Sequence, residues 1–263
     1  MPAVLVGDLK GEDVIWRYMA LDKFVNILDD KALFMPALGM FSESDPYEGY
    51  PPPAVLKCVK NVCPPSMYFS HDADKLQDLS NFKVFAQRLF KSRVVSCWYQ
   101  SQDESEAMWK LYGDAGKAIA IRTTVERLAG ALGEDFQGKI ARVHYVDYVR
   151  TTQLEYDVVM GSHVQNTLLD PVYKRSSYAH EREVRVYKGI DGARLDEPET
   201  FVSHMAPIDC RLLIDEVVVS PLCSPSYVKA VKAVARQFGL GDAVRQSTLL
   251  SDLGPIYRSI ENP

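Results

Sequence analysis

The chain has 263 residues, a net charge of −5, 47% hydrophobic residues and 25% charged ones, ordinary values for a globular protein able to bury a sizeable core. The acidic balance argues against a broad electrostatic grip on nucleic acid, although a local basic groove stays open. No apolar run reaches membrane-spanning length, and the start MPAVLVGDLKGEDVIW lacks a basic-then-apolar pattern, so neither a membrane anchor nor a signal peptide is expected.

Val14 to Met19 (VIWRYM) reads as a strand and Leu21 to Asp30 as a helix with Leu21, Phe24, Val25 and Leu28 on one stripe. Ala32 to Met35 reads as a second strand. The first strand carries Arg17 between Trp16 and Tyr18. That residue is either a surface arginine on an edge strand or a guanidinium fork placed for a phosphate or carboxylate. From Met40 to Pro53 the chain (MFSESDPYEGYPPP) is rich in turn formers. There Asp45, Tyr47 and Glu48 either line a cleft, as loops on a rigid scaffold do, or shape a turn at Asp45-Pro46. Leu76 to Leu89 has helical spacing. Arg93 to Tyr99 (RVVSCWY) reads as a buried strand, with Ser96 and Trp98 on one face and Cys97 on the other.

Ser101-Gln102-Asp103-Glu104 matches a capping box, predicting a helix through Met108, Trp109 and Tyr112 that Gly113 closes. An apolar and aromatic stripe at that spacing is more often core than binding surface. Gly116 to Ile121 reads as a strand and Thr124 to Leu132 as a helix. Lys139 to Tyr148 reads as one strand containing His144 and Tyr145, and a helical connection is expected from Val149 up to Tyr173. His144 has no adjacent ligand partner and reads as structural.

The segment Tyr173 to Lys188, YKRSSYAHEREVRVYK, is the richest in candidate chemistry. As an extended strand it puts Glu181, Glu183, Arg185 and Tyr187 on one face, and His180, Arg182, Val184 and Val186 on the other. Two carboxylates roughly 7 Å apart along such a strand reach one small polar substrate; the alternative is a solvated face on which Arg185 neutralises its neighbours. Leu212 to Val219 (LLIDEVVV) reads as a strand. Ser224-Pro225 opens a helix with Tyr227, Val231, Val234 and Phe238 inward, Gly239 stops it, and a last strand follows near Ala243 to Ser247. Strands and helices alternate without a regular beat. That predicts an α+β fold, with a mixed, largely antiparallel central sheet and flanking helices, in a single domain over 1–263 with its core at 14–247.

The five cysteines, Cys58, Cys63, Cys97, Cys210 and Cys223, are odd in number and irregularly spaced, which predicts reduced thiols in a cytoplasm. Cys58 and Cys63 have no second pair and no His cluster nearby, so no zinc site is expected. Walker-type glycine loops, GxGxxG, HExxH and GxSxG are all missing from the sequence.

Trp16-Arg17-Tyr18, Asp45-Pro46-Tyr47-Glu48, Met108-Trp109-Lys110-Leu111-Tyr112 and Glu181-Arg182-Glu183-Val184-Arg185, followed by IDEVVVSP at Ile214 to Pro221, occur in an order that resembles a bacterial family, the domain of unknown function 2971 family. The likeness runs from Ile15 to Leu240. Ser44 stands where the family pattern has Asn, and His180 where it has an aromatic residue. The order of parts is also similar to the arginine–serine–glutamate class of ADP-ribosyltransferases: Arg17 on the first strand, then a helix, Ser96 on a later strand, and Glu181/Glu183 on a late acidic strand. Ser96 is followed by Cys97 and Trp98, not by that class's Thr-Ser.

This second resemblance implies cleavage of the nicotinamide–ribose bond of NAD and transfer of ADP-ribose to an acceptor, protein or nucleic acid, with a place in bacterial defence or toxicity. Glu183 would stabilise the oxocarbenium charge developing on the ribose, and Glu181 would orient or deprotonate the acceptor. Arg17, beside Tyr18, would hold the diphosphate, Ser96 would belong to the same NAD site, and Trp98 or Tyr112 would stack on a ring. Arg185 would fix the carboxylates or lower their pKa. Asp45, Tyr47 and Glu48 would contact substrate. Two other classes fit the same residues: a metal-dependent nuclease with Asp45, Glu48, Glu181 and Glu183 as magnesium ligands, and a non-catalytic module that binds a nucleotide or partner.

Overall fold

The computed structural model of the protein describes residues 3–41, 45–48, 52–53, 92–113, 117–148, 170–190 and 202–251. The helix expected at Leu76 to Leu89 and most of the connection expected from Val149 to Tyr173 lie outside the described residues. In chain order the strands are β1 (Val4–Val6), β2 (Val14–Ala20), β3 (Ala32–Met35), β4 (Arg93–Gln100), β5 (Ala118–Thr124) and β6 (Lys139–Arg142). They continue as β7 (His144–Val146), β8 (Tyr173–Arg175), β9 (Glu183–Gly189), β10 (His204–Pro207), β11 (Glu216–Val219) and β12 (Val244–Gln246). The helices are α1 (Leu21–Asp30), α2 (Glu106–Tyr112), α3 (Val125–Ala131), α4 (Cys210–Leu213) and α5 (Pro225–Gln237). The fold is α+β, with mixed and mostly antiparallel strand pairing. Residue contacts gather into two compact units, one of Met1–Lys10, Leu33–Tyr99 and Leu132–Pro207, the other of Gly11–Ala32, Gln100–Ala131 and Ile208–Pro263.

In the first unit β9 is an interior strand. It pairs antiparallel with β4, setting Ser96 opposite Val186, Cys97 opposite Arg185 and Trp98 opposite Val184. On its other side it pairs antiparallel with β6, setting Ala141 opposite Arg185, and β1 adds to β6 in parallel. Because side chains alternate along a strand and paired residues share a face, Val184, Val186, Ser96, Trp98 and Ile140 form one apolar face, all buried. Glu183, Arg185 and Tyr187 take the opposite face with Cys97. The small neighbours Ala141 and Cys97 flank Arg185 in register and leave room for its guanidinium. The strand expected over Lys139 to Tyr148 breaks at Val143, whose N–H donates to the Glu183 carbonyl at 2.8 Å. Beyond that break β7 pairs in parallel with β8.

In the second unit β2 and β5 pair antiparallel from Val14 opposite Thr124 to Ala20 opposite Ala118. β11 pairs antiparallel with β5, and β12 parallel with β11. Helix α1 buries Phe24, Ile27 and Leu28, so the inward stripe turns toward Ile27 and away from Leu21 and Val25. Helix α2 starts later than the capping box predicts. Ser101 Oγ instead accepts from Asp103 N–H in a local turn, Glu104 accepts from the Trp109 indole N–H, and Ser105 is the N-cap, accepting from Met108 N–H. Gly113 closes α2 where expected, and a Cβ there would collide with the Ala118 side chain and the Trp109 carbonyl. The strand expected over Leu212 to Val219 is α4 followed by β11, because Asp209 accepts from both Arg211 and Leu212 N–H and nucleates a turn. Helix α5 begins at Pro225 behind Ser224, as expected, and buries Val231 and Ala235. Gly239, at φ +75, ends it in a backbone conformation that glycine adopts freely.

Among the described residues no helix is long and apolar enough to cross a membrane, and Cys97, Cys210 and Cys223 are free thiols.

Candidate functional site

The acidic segment is not one continuous strand. Ser176–Glu181 forms a 3₁₀ turn, Arg182 takes a left-handed conformation at φ 40, and the strand starts at Glu183. Glu181 therefore reaches Glu183 from the end of a turn and not along a strand face. The two carboxylates still meet, through a residue the period-of-two pattern does not single out. Lys174 on β8 places Nζ 2.6 Å from Glu181 Oε2 and 3.4 Å from Glu183 Oε2.

Arg185 organises the interior of this cluster and is 1% exposed. Its Nε donates to Glu183 Oε1 at 2.6 Å, its Nη2 to Glu183 Oε2 at 3.1 Å and to Glu48 Oε1 at 2.6 Å, and its Nη1 to the Pro171 carbonyl at 2.7 Å. Glu48 is also 3.3 Å from Lys174. Burial alone would drive the Glu183 carboxyl upward, but the charges of Arg185 and Lys174 outweigh it and hold Glu183 down at about 2. Burial likewise opposes the Lys174 charge, and Glu183 and Glu48 overcome it, so Lys174 stays an ammonium. Cys97 sits beside Glu183, and burial followed by that carboxylate pushes its thiol well up, which disfavours the thiolate at neutral pH. Burial also raises the Tyr145 and Tyr148 phenols, and the Tyr145 hydroxyl accepts from Glu183 N–H at 2.8 Å.

The loop at 45–48 joins this cluster. Asp45 Oδ1 accepts from Tyr47 N–H at 3.0 Å, closing an Asx turn, and also from Arg175 Nη2 at 2.6 Å. The Arg175 guanidinium lies 4.7 Å from the centre of the Tyr47 ring and 5.3 Å from that of Tyr178. Asp45 Oδ2 and Arg175 Nε are left without hydrogen-bond partners. Among the described residues, the carboxylates of Asp45, Glu48, Glu181 and Glu183 thus meet the cations of Lys174, Arg175 and Arg185.

Of the residues singled out from sequence, Asp45, Glu48, Glu181, Glu183 and Arg185 come together here, with Tyr47 beside Arg175 and 48% exposed. Ser96 and Trp98 point to the other face of the sheet, where Trp98 Nε1 donates to Ser96 Oγ at 3.1 Å and both are buried. Arg17, Tyr18 and Tyr112 belong to the second unit. There Tyr18 accepts from Ser105 N–H at 2.9 Å and meets the Trp109 ring edge-on, and Tyr112 is half exposed. Sequence reasoning passed over Lys174, Arg175, Tyr145, Tyr148 and Tyr178. Lys174, Arg175 and Tyr178 lie inside the very segment chosen, and a basic pair just before an acidic one is the signal that was available.

The carboxylates are committed to basic side chains, and among the described residues no group of three or more His, Cys, Asp or Glu side chains is arranged to hold a metal ion. The donor set therefore lends no support to the magnesium-nuclease reading. Comparison with known proteins gives no match to a family model and none to a curated protein.

Proposed function

We propose that this chain is an ADP-ribosyltransferase-like enzyme that cleaves the nicotinamide–ribose bond of NAD and passes ADP-ribose to a protein or nucleic-acid acceptor. One observation carries the reading: an ionised carboxylate, Glu183, is held in the interior with Glu181 beside it. Bond cleavage develops positive charge on the ribose, and a fixed negative charge in a dry site favours that transition state over the neutral sugar. In this role Glu183 accepts a ribose hydroxyl proton in a hydrogen bond that strengthens as charge develops. The 3.4 Å contact between Lys174 and Glu183 Oε2 is the weakest in the cluster and the one a hydroxyl would replace. Glu181, 2.6 Å from the Lys174 ammonium, orients the acceptor or takes its proton. Arg185 is a positioning residue that keeps Glu183 charged and aimed.

Membership of the domain of unknown function 2971 family belongs to the same proposal, carried by the ordered motifs from Trp16 to Pro221. The test is nicotinamide release from NAD by the purified protein. Glu183→Gln, which keeps shape and removes charge, is expected to lower the rate by about 10²–10⁴-fold. Unchanged turnover removes Glu183 from the mechanism. NAD-induced thermal stabilisation without nicotinamide release replaces the enzyme by a binding module.

A further inference from the structure

We infer that the outward face of helix α5 (Pro225–Gln237) is a docking surface for the phosphate backbone of a nucleic acid. The surface lies wholly within the second unit, and it stands or falls independently of the NAD reading. The charged residues of α5 are Lys229, Lys232 and Arg236, and the helix contains no Asp or Glu. At spacings of i, i+3 and i+7 they line one face, over a rise of about 10 Å. Lys229 and Arg236 are exposed and Lys232 is half-buried. Two further exposed cations stand at the ends of the helix. The Lys117 carbonyl accepts from the Tyr227 hydroxyl at 2.7 Å, in the first turn. Arg211 lays its guanidinium over Gly239, just past the last turn.

Other basic side chains of the same unit meet acids: Lys110 pairs with Glu106, Arg122 with Asp215 and Arg245 with Glu216. Among the described residues none of the five cations about α5 is ion-paired, although Asp242 follows in the next turn. Helix stability does not call for them either. A cation gains from the helix dipole only within the last turn, which holds Arg236 but neither Lys229 nor Lys232. Lys232 and Arg236 are four residues apart, where like charges destabilise a helix. An anion laid along the face relieves that repulsion.

The relief of the face selects the anion. Ala230 and Ala233 are exposed beside the cations, and α5 exposes no large apolar side chain, because Val231 and Ala235 turn inward. A docked peptide needs a buried aromatic or aliphatic anchor, and a helix lying on a membrane needs an apolar face turned outward. This helix offers neither. A phosphate backbone is held by Lys and Arg through charge and hydrogen bonds, without an apolar anchor. About three nucleotide steps of ~3.4 Å span the same length as the three cations.

The experiment titrates a short mixed-sequence DNA duplex with the full chain by fluorescence anisotropy, over a fourfold range of salt ending at about 100 mM. Three phosphate contacts give a log–log slope of about −2.7 or steeper, so affinity is expected to fall by about 40-fold or more across the range. The triple variant Lys229→Gln, Lys232→Gln, Arg236→Gln keeps good helix formers. It is expected to flatten the slope by about 2.7 and to bind more weakly at every salt concentration. Lys110→Gln, at a paired cation on α2, is expected to change neither. If circular dichroism shows the triple variant unfolded, Lys229→Gln with Arg236→Gln decides, with an expected flattening of about 1.8. No binding at the lowest salt, an unchanged slope in folded variant, or an equal effect of Lys110→Gln overturns the inference. Tighter binding of polyglutamate or of phosphatidylserine vesicles than of the duplex, through the same three residues, also overturns it and makes α5 a dock for an acidic peptide or a membrane.

Discussion

Replacing Arg185 by methionine tests the physical basis of the cluster. The side chain is 1% exposed and makes four short contacts, three to the carboxylates of Glu183 and Glu48 and one to the Pro171 carbonyl. Arg185→Met keeps most of the apolar stem but takes the guanidinium from two buried carboxylates and an acceptor, with Lys174 still beside Glu48, Glu181 and Glu183. Removing one partner of a buried ion pair costs about 3–5 kcal/mol, and the expected loss in urea unfolding at pH 7 falls in that range. The loss is also expected to depend on pH in a diagnostic way. Without Arg185 the Glu183 carboxyl has burial pushing its pKa up and loses the largest charge that holds it down, with Lys174 remaining, so the variant relieves itself by taking a proton as the pH falls. Wild type holds Glu183 at about 2 and gains nothing there. The deficit should therefore shrink between neutral pH and about pH 4. A deficit below about 1 kcal/mol, or one that is flat over that span, would falsify the account of Arg185 as the group that keeps Glu183 ionised.

The wild-type protein should show the matching linkage. The Glu183 pKa falls on folding from 4.5 to about 2, so its contribution is complete above the unfolded value and disappears as pH drops toward the folded one. That contribution is on the order of 3 kcal/mol; acid titration of unfolding free energy reads it as extra slope that Glu183→Gln lacks. At α2, Ser105→Ala removes the N-cap and is expected to lower stability by about 1 kcal/mol, with Tyr18→Phe costing a similar amount because the Tyr18 hydroxyl accepts from Ser105 N–H; full additivity of the two in the double variant would argue against their sharing one turn. Cys97, half-buried beside Glu183 with its thiol pushed well up, should react more slowly with iodoacetamide at neutral pH in native than in unfolded protein; equal labelling rates, read by mass spectrometry, contradict that account of its thiol.

The parts of the fold visible in the sequence are those written in short-range pattern. Leu21–Asp30 emerges as a helix and Ala32–Met35 as a strand with the boundaries expected, because apolar spacing changes period sharply between them. The alternation of β4 and β9 is equally local, and it puts Ser96 and Trp98 on one face and Glu183 and Arg185 on the other. Where two local signals compete, the sequence misleads. Ser101 and Ser105 both offer a cap to the same helix, and the Trp109 indole claims the Glu104 carboxylate that a capping box at Ser101 needs. Period-of-two reading carried the β9 strand back through Glu181, although a 3₁₀ turn with left-handed Arg182 intervenes. The site itself depends on partners far apart in the chain. Arg185 binds Glu48 across 137 residues, and Arg175 binds Asp45 across 130. No spacing rule links a turn-rich loop to a strand at that distance. Asp45 and Glu48 stood out as polar residues of a turn-rich loop, but the arginines they pair with did not.

The cluster's presence is itself informative, because stability alone does not account for it. A buried ion lattice gains Coulomb energy, but it must overcome the desolvation of every charge it holds, and well-packed apolar residues of similar volume often do as well or better. The face of β9 that carries Val184 and Val186 is built in that cheaper way, packed against Trp98 and Ile140 with no charged group and with the Ser96 hydroxyl satisfied by the Trp98 indole. On the opposite face of the same strand the chain sets Glu183 and Arg185, brings Glu48 from a distant loop, and adds Lys174 and Glu181. If the only task were to cover β9, the two faces would not differ so sharply. What an ionic face supplies that an apolar one cannot is a fixed carboxylate in a region largely shut off from water, kept charged across the physiological pH range by cations that do not themselves titrate there. Such a group has no packing advantage, and under the proposed function its use is to meet the positive charge that develops on the ribose.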